Sequence, residues 1–147
     1  MKYSLCALAL ISCLNTVSYA DEASDKADQF MECLSIAEEQ RNSDPDEKMK
    51  NHWAQFSDIY GANVFMYAGS IQYIFDHIQE KFAKWGNMRQ MLPAQSVNNL
   101  ALAVLKKCDT AALEKVAPMA DYQKALDTYL KERQAASQTN TPTEQSK

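Results

Sequence analysis

The feature that most constrains the fold is an apolar stripe with helical spacing that continues from Met49 to Trp85. At about 100° per residue, twelve side chains of this segment fall within an arc about 100° wide. A loop in the middle would normally shift the later side chains to another side of the helix. Here the side chains stay within the same arc through Gly61 and Gly69. The members of the stripe are Met49, Trp53, Phe56, Tyr60, Val64, Tyr67, Ile71, Ile74, Phe75, Ile78, Phe82 and Trp85.

The stripe predicts one helix over about residues 46–85, or two coaxial pieces joined by a kink at a glycine. A straight helix of that length would measure about 60 Å at 1.5 Å per residue, which is long for a domain of this size. A bend near Gly69 and Ser70 would shorten it. The sequence alone does not decide between the straight and the kinked form.

Residues that break helices are scarce, since the 147 residues include only three glycines and four prolines. No segment alternates for long between apolar and polar residues, as a half-buried strand would. We therefore predict an all-α fold, a bundle of four or five helices around the 46–85 segment. The other helices are expected over residues 24–41 and 94–108, and after Pro118.

Each of these helices has an expected apolar face, listed here in chain order. The 24–41 helix carries Ala23, Ala27, Phe30, Met31, Leu34 and Ala37. The 94–108 helix carries Val97, Leu100, Ala101, Val104 and Cys108, and the helix after Pro118 carries Tyr122, Ala125, Leu126, Tyr129 and Leu130. The single domain is predicted over residues 21–134. Residues 135–147 are polar, and we expect a disordered tail there.

Several residues are expected to mark helix ends. Asp44 is predicted to cap the second helix, with Pro45 in its first turn and Glu47 reaching back to the cap. Gly86 is expected to end the long helix, after which Met88, Met91 and Leu92 would fold back to seal the core. Asp109 and Thr110 are expected to restart the chain after the 94–108 helix. The charged stretches 38–41 and 44–48 are expected to be exposed.

The aromatic residues of the 46–85 segment are interpreted as part of the hydrophobic core. The opposite side of the helix carries Gln55, Asp58, Gln72, Asp76 and His77, so the segment is not apolar all round as a membrane span would be. Around the glycines, Ile59, Phe65 and Met66 lie off the main stripe, and we expect the helix to be covered on two sides there. Gly61 and Gly69 are then predicted to be packing notches that let a neighbour come close.

The N-terminus has the pattern of an export signal. Lys2 is followed by an apolar run from Leu5 to Leu14. Small residues, Ser18 and Ala20, then occupy the third-last and last positions of the predicted signal. The run is too short to span a bilayer, and we predict a signal peptide over residues 1–20 with cleavage after Ala20. The alternative is a lipoprotein acylated at Cys13, because residues 10–13 resemble a lipoprotein box. Either form is exported, and a Gram-negative periplasm is the first expectation, with secretion the other.

Export determines how many cysteines remain in the mature chain and favours a disulfide between them. Cleavage after Ala20 removes two of the four and leaves Cys33 and Cys108, an even number in an oxidising compartment. Cys108 lies on the apolar face of its helix and Cys33 at the edge of its own. A Cys33–Cys108 disulfide is therefore predicted, with two buried free thiols as the alternative.

The charge balance narrows the class of partner. The whole chain has 15 basic and 19 acidic residues, and removing Lys2 with the signal leaves 14 basic residues and a net charge of −5. Binding to nucleic acid needs a basic face, so nucleic acid is not expected as a partner. No transmembrane segment is expected in the mature chain.

Motifs for catalysis or cofactor binding are absent from the sequence. His52 and His77 are the only imidazoles, and 25 helical residues separate them by about 37 Å, too far for a shared metal site. Asp76, His77 and Glu80 share a helix face but supply too few ligands for a firm zinc site. Met88 and Met91 have a spacing that cuprous ions use, yet core packing explains them better. No metal, cofactor or catalytic residue is therefore predicted.

Function follows only by elimination. The first hypothesis is a non-catalytic exported protein that binds another envelope or secreted protein, as an inhibitor, immunity or accessory factor. The alternative is a carrier of a small apolar ligand, with a cavity lined by Phe65, Tyr67, Ile71 and Phe75. A hydrolase of unrecognised geometry is a third. An exposed apolar face would favour the first hypothesis and a closed cavity the second. The oligomeric state is not predicted.

Overall fold

The computed structural model describes residues 6–114 and 119–139, and the side chains of residues 22–112 and 122–138. The described chain forms five helices in the order α1 (Cys6–Ser43), α2 (Glu47–Ala68), α3 (Ile71–Met91), α4 (Ala94–Glu114) and α5 (Met119–Thr139). The predicted all-α class and the helical bundle are confirmed. Pro118 and residues 140–147 lie outside the described residues.

The helix at the centre of the bundle is α1, and not the predicted 46–85 segment. Its side chains from Phe30 to Ala37 are buried on every side, except that Glu32 is half-buried. α2, α3 and α4 all pack against it. A helix that is apolar all round belongs in the interior of a bundle, which accounts for this run of residues.

α1 begins well before the residue 24 that the sequence predicts. It covers the predicted cleavage point after Ala20, where only the backbone is described. Both the signal peptide and the acylation of Cys13 stay predictions. At the other end of the chain, α5 reaches Thr139 and so takes in the first five residues of the predicted tail.

The predicted long helix is divided at Gly69. This residue has a φ of 74°, in the left-handed region that glycine adopts without strain, and its N–H donates to the Phe65 carbonyl 2.7 Å away. Ser70 then has an extended backbone and caps α3 by accepting from the Gln72 N–H. The prediction of a notch at Gly69 is wrong, because no heavy atom lies within 4 Å of an added Cβ.

Gly61 does form the predicted notch. An added Cβ would lie 2.7 Å from Cε1 of Tyr129, and closer still to the Cζ and hydroxyl oxygen of that ring. The ring of Tyr129 on α5 therefore fills the space that a side chain at position 61 would need. This contact is one of those that hold α5 against α2.

Other predicted helix ends are also corrected. The cap of α2 is Asp46, whose carboxylate accepts from the Lys48 N–H, so Asp44 and Pro45 precede the helix. Asp44 instead accepts from the Asp46 N–H. Gly86 lies inside α3, which ends only at Met91, because Leu92 precedes Pro93 and a residue before proline disfavours the helical conformation.

The segment after Gly86 does not close over the core as predicted. Met88 packs against the core, but Met91 is 74% exposed and Leu92 40% exposed. α4 likewise runs straight through Asp109 and Thr110, where a restart was predicted. The Thr110 hydroxyl donates to the Lys106 carbonyl one turn earlier, so its side chain bonds within α4 and does not cap a new helix.

Candidate functional site

Cys33 on α1 and Cys108 on α4 form the predicted disulfide, and neither side chain is exposed to solvent. The pair fixes the rotation of α4 about its own axis. Val97, Ala101 and Leu105 consequently face the core, and Val104 is half-buried. Leu100 was predicted to be buried as well, but it lies to the side of this row and is 45% exposed.

An open cleft with a largely apolar lining lies between α1, α3 and α5, and we call it the α1–α3–α5 cleft. Leu34, Glu38 and Asn42, successive residues of one helix face, form its floor. Tyr129 and Arg133 line it from α5. The α3 side is lined by Ile71, Ile74, Phe75, Ile78, Gln79 and Phe82, and the volume is about 310 Å³.

Two of the four predicted contact residues lie in this cleft. Ile71 and Phe75 line it, and Phe75 is 45% exposed. Phe65 and Tyr67 do not line it. Both are half-buried against the core, and the Tyr67 ring stacks on that of Phe30 with the centroids 5.9 Å apart. The four residues are therefore not brought together, since the break at Gly69 separates Phe65 and Tyr67 from the α3 residues.

Arg133 makes the polar contacts that anchor α5 beside the cleft. Its Nη2 donates to Glu38 Oε1 of α1 at 2.8 Å, and its Nη1 donates to Asp58 Oδ1 of α2 at 2.7 Å. One guanidinium thus joins three helices, an arrangement that suits its planar set of donors. The interaction has no local sequence signal, because the partners are 75 and 95 residues away.

Burial changes the acid–base properties of this group of residues. Burial raises the pKa of Tyr129 to about 12. Burial also raises the pKa of Asp58 above its ordinary 3.8, and the nearby Arg133 cation opposes that rise without cancelling it. The ionised carboxylate of Asp58 is therefore less favourable in the folded chain than in water.

The raised pKa predicts how replacing Asp58 by Asn changes the pH dependence of stability. The folded chain holds the Asp58 proton more tightly than the unfolded chain does. The stability that this adds is complete below the ordinary pKa and is lost as the pH rises through the folded value. Relative to wild type, Asp58→Asn should gain stability from about pH 4 upward and then level off. Urea unfolding of both proteins from pH 3.5 to 7 measures this, and a difference constant with pH would contradict it.

A second, smaller depression lies between α1, α2 and α4, with a volume of about 230 Å³. We call it the α1–α2–α4 cleft. Its lining is Ile36, Gln40, Trp53, Asn98, Ala101, Leu102 and Leu105. Beside it, Phe56 stacks near Tyr60 with ring centroids 5.8 Å apart, and the buried Tyr60 hydroxyl donates to Asp109 of α4 at 2.6 Å.

His77 makes its contacts within its own helix. His77 Nδ1 donates to the Tyr73 carbonyl at 2.8 Å, and its ring stacks on that of Tyr73. Asp76 accepts from Gln72, one turn earlier on α3. The described residues contain no group of three or more His, Cys, Asp or Glu side chains placed to hold a metal ion.

Comparison of the chain with family models, curated proteins and solved structures gives no match. None of the described helices combines the length and the apolar character needed to cross a membrane. The clefts are therefore the features of the molecule that bear on its function.

Proposed function

We propose that this chain is an exported, non-catalytic protein that binds another protein of the cell envelope through the α1–α3–α5 cleft. The observation that supports this most is the exposed Phe75 on an open cleft with a largely apolar lining. An aromatic side chain left 45% exposed on an apolar surface is characteristic of contact regions between proteins. Export is supported by the signal pattern of residues 1–20 and by the disulfide.

The chemistry of the cleft favours apolar side chains of a partner as its occupant. The charged residues that line it are Glu38 and Arg133, and they are paired with each other. Asn42 and Gln79 add neutral polar groups. A cleft of this composition has little attraction for an anion or a metal ion, whereas apolar contact surrounded by neutral polar groups suits a protein interface.

A small apolar ligand is the other candidate occupant, because the volume of about 310 Å³ is at the lower end of the range for ligand pockets. Ligand pockets of that kind bury most of the ligand surface. The open shape of the cleft therefore favours the protein partner. The experiment below separates the two.

We expect a photo-cross-linking residue at position 75 to capture one defined partner when the full chain is expressed in its native host. The same residue at position 91 should not, because Met91 is 74% exposed on α3 but does not line the cleft. Phe75→Asp should abolish co-purification of that partner and Met91→Asp should leave it unchanged. The exposure of both side chains means that neither change should lower the melting temperature by more than a few degrees.

Two other outcomes would contradict the proposed binding of a protein partner. Cross-linking that is equal at positions 75 and 91, or absent at 75, would contradict binding through this cleft. A lipid or other small apolar molecule extracted from purified wild type, and missing from Phe75→Asp, would establish the carrier instead. The extract is measured by mass spectrometry of the organic phase.

A further inference from the structure

The way α4 is attached differs from the way the other helices are packed. One row of its side chains, Val97, Ala101, Leu105 and Cys108, is buried against the core. Away from this row, Leu100 is 45% exposed and Leu102 63% exposed. α4 thus touches the bundle along one edge, mainly on α1, with further contacts to α3 and the Tyr60–Asp109 hydrogen bond to α2.

Open depressions flank that edge on both sides. The α1–α2–α4 cleft lies on one side of it. On the other is a wide, shallow depression of about 850 Å³, lined by Asp25, Asp28 and Glu32 of α1 and by Lys106 and Lys107 of α4, among others. Solvent therefore reaches both flanks of the contact between α1 and α4. A helix held by few buried contacts is the kind of element that opens separately from the rest of a fold.

The disulfide fastens α4 within this contact. Cys33 and Cys108 are both fully buried, so a thiolate can attack either sulfur only after the contact between α1 and α4 opens, locally or by global unfolding. We infer that α4 is a flap latched by the Cys33–Cys108 disulfide, and that reduction lets it open while the rest of the bundle stays folded. The reductant is a dithiol. The S–S bond accepts two electrons and two protons to give two thiols, and the dithiol is oxidised to a disulfide.

Opening would uncover an apolar surface that α4 now covers. Tyr60, whose hydroxyl contacts Asp109, and Ile36, which faces α4 across the α1–α2–α4 cleft, are each 1% exposed in the closed form. The remaining helices have contacts that do not involve α4. α5 is held by Tyr129 at Gly61 and by Arg133, and α2 by its extensive packing against α1.

Hydrogen exchange of the whole chain, with and without dithiothreitol, tests the flap. After reduction is confirmed by thiol labelling, amides of residues 94–112 should exchange at least tenfold faster. Amides of residues 56–66 in α2 and 125–135 in α5 should keep their rates. Equal acceleration in every helix, or no acceleration in α4, would overturn the inference. Neither readout depends on the partner proposed for the α1–α3–α5 cleft.

The rate of reduction under native conditions gives a second test that does not need the reduced chain to be stable. Leu105→Ala weakens the packing of the buried row of α4 against the core. It should therefore speed reduction of the Cys33–Cys108 disulfide at least tenfold. The control is Leu126→Ala, which loses the same atoms from α5, where Leu126 also packs against the core. Similar acceleration by the two variants would mean that reduction needs global unfolding, and would refute the flap.

Discussion

Removing the disulfide should lower the free energy of unfolding by about 4 kcal/mol. Cys33 and Cys108 are 75 residues apart, and the loop that they close includes α2 and α3. In the chain-entropy model, the loss comes from the greater freedom of the unfolded chain and not from a lost native contact. Urea unfolding of the double variant Cys33→Ala/Cys108→Ala, compared with oxidised wild type, measures it.

A matched control separates this effect from the loss of buried volume. Ser35 is fully buried on α1, two residues from Cys33, and its hydroxyl donates to the Glu32 carbonyl of the same helix. Ser35→Ala should cost about 1 kcal/mol or less. A loss below about 1 kcal/mol in the cysteine variant would contradict the disulfide's assigned role in stability. If α4 opens first, the variant should also unfold in two steps, with the earlier one confined to α4.

The helical spacing of the apolar residues allows the fold class and much of the core to be predicted well. The all-α class and the burial of Tyr60, Val64, Ile74 and Trp85 all follow from helical spacing and are found in the structure. The pairing of Cys33 with Cys108 adds the chemistry of an oxidising compartment to the same argument. Helical spacing is local to each helix, so the order of residues carries it, whereas the pairing follows because only two cysteines remain after the predicted cleavage.

Helix ends were harder to place because several residues at each end can play the same role. Asp44 and Asp46 are both good capping residues, and the structure uses Asp46. A glycine at position 69 is compatible with a notch, a kink or an unbroken helix, and its left-handed backbone decides for the break. An unbroken stripe across the break was misleading, since both α2 and α3 turn an apolar face toward the same core.

The cleft could not be predicted, because it depends on how separate helices meet. Ile71 and Phe75 belong to the predicted stripe, but nothing local indicates that Leu34 and Tyr129 lie opposite them. Glu38 was expected only as an exposed charge. Its partner Arg133 lies on another helix 95 residues away, and no spacing rule connects the two.

The three glycines of the chain, each replaced by alanine, should give three different results, and Gly61→Ala should be the most destabilising. The added methyl group would overlap the Tyr129 ring, which is 3% exposed and held by the helices around it. Overpacking of this kind typically costs about 1–3 kcal/mol. Gly69→Ala meets open space, but its φ of 74° disfavours an L side chain by about 1–2 kcal/mol.

Gly86→Ala is the internal control, because Gly86 lies within α3 with open space around it and an ordinary helical backbone. It should stabilise the fold by about 0.4–1 kcal/mol, as alanine lowers the entropy of the unfolded chain. Thermal and urea unfolding of the three variants give the order.

A second change identifies the cause at position 61. In the background Tyr129→Leu, where the ring is gone, the cost of Gly61→Ala should fall to near zero, and the difference between the two backgrounds measures the contact. A Gly61→Ala protein more stable than wild type would mean that α5 does not press its tyrosine onto α2. The α1–α3–α5 cleft would then lose the part of its wall that Tyr129 provides.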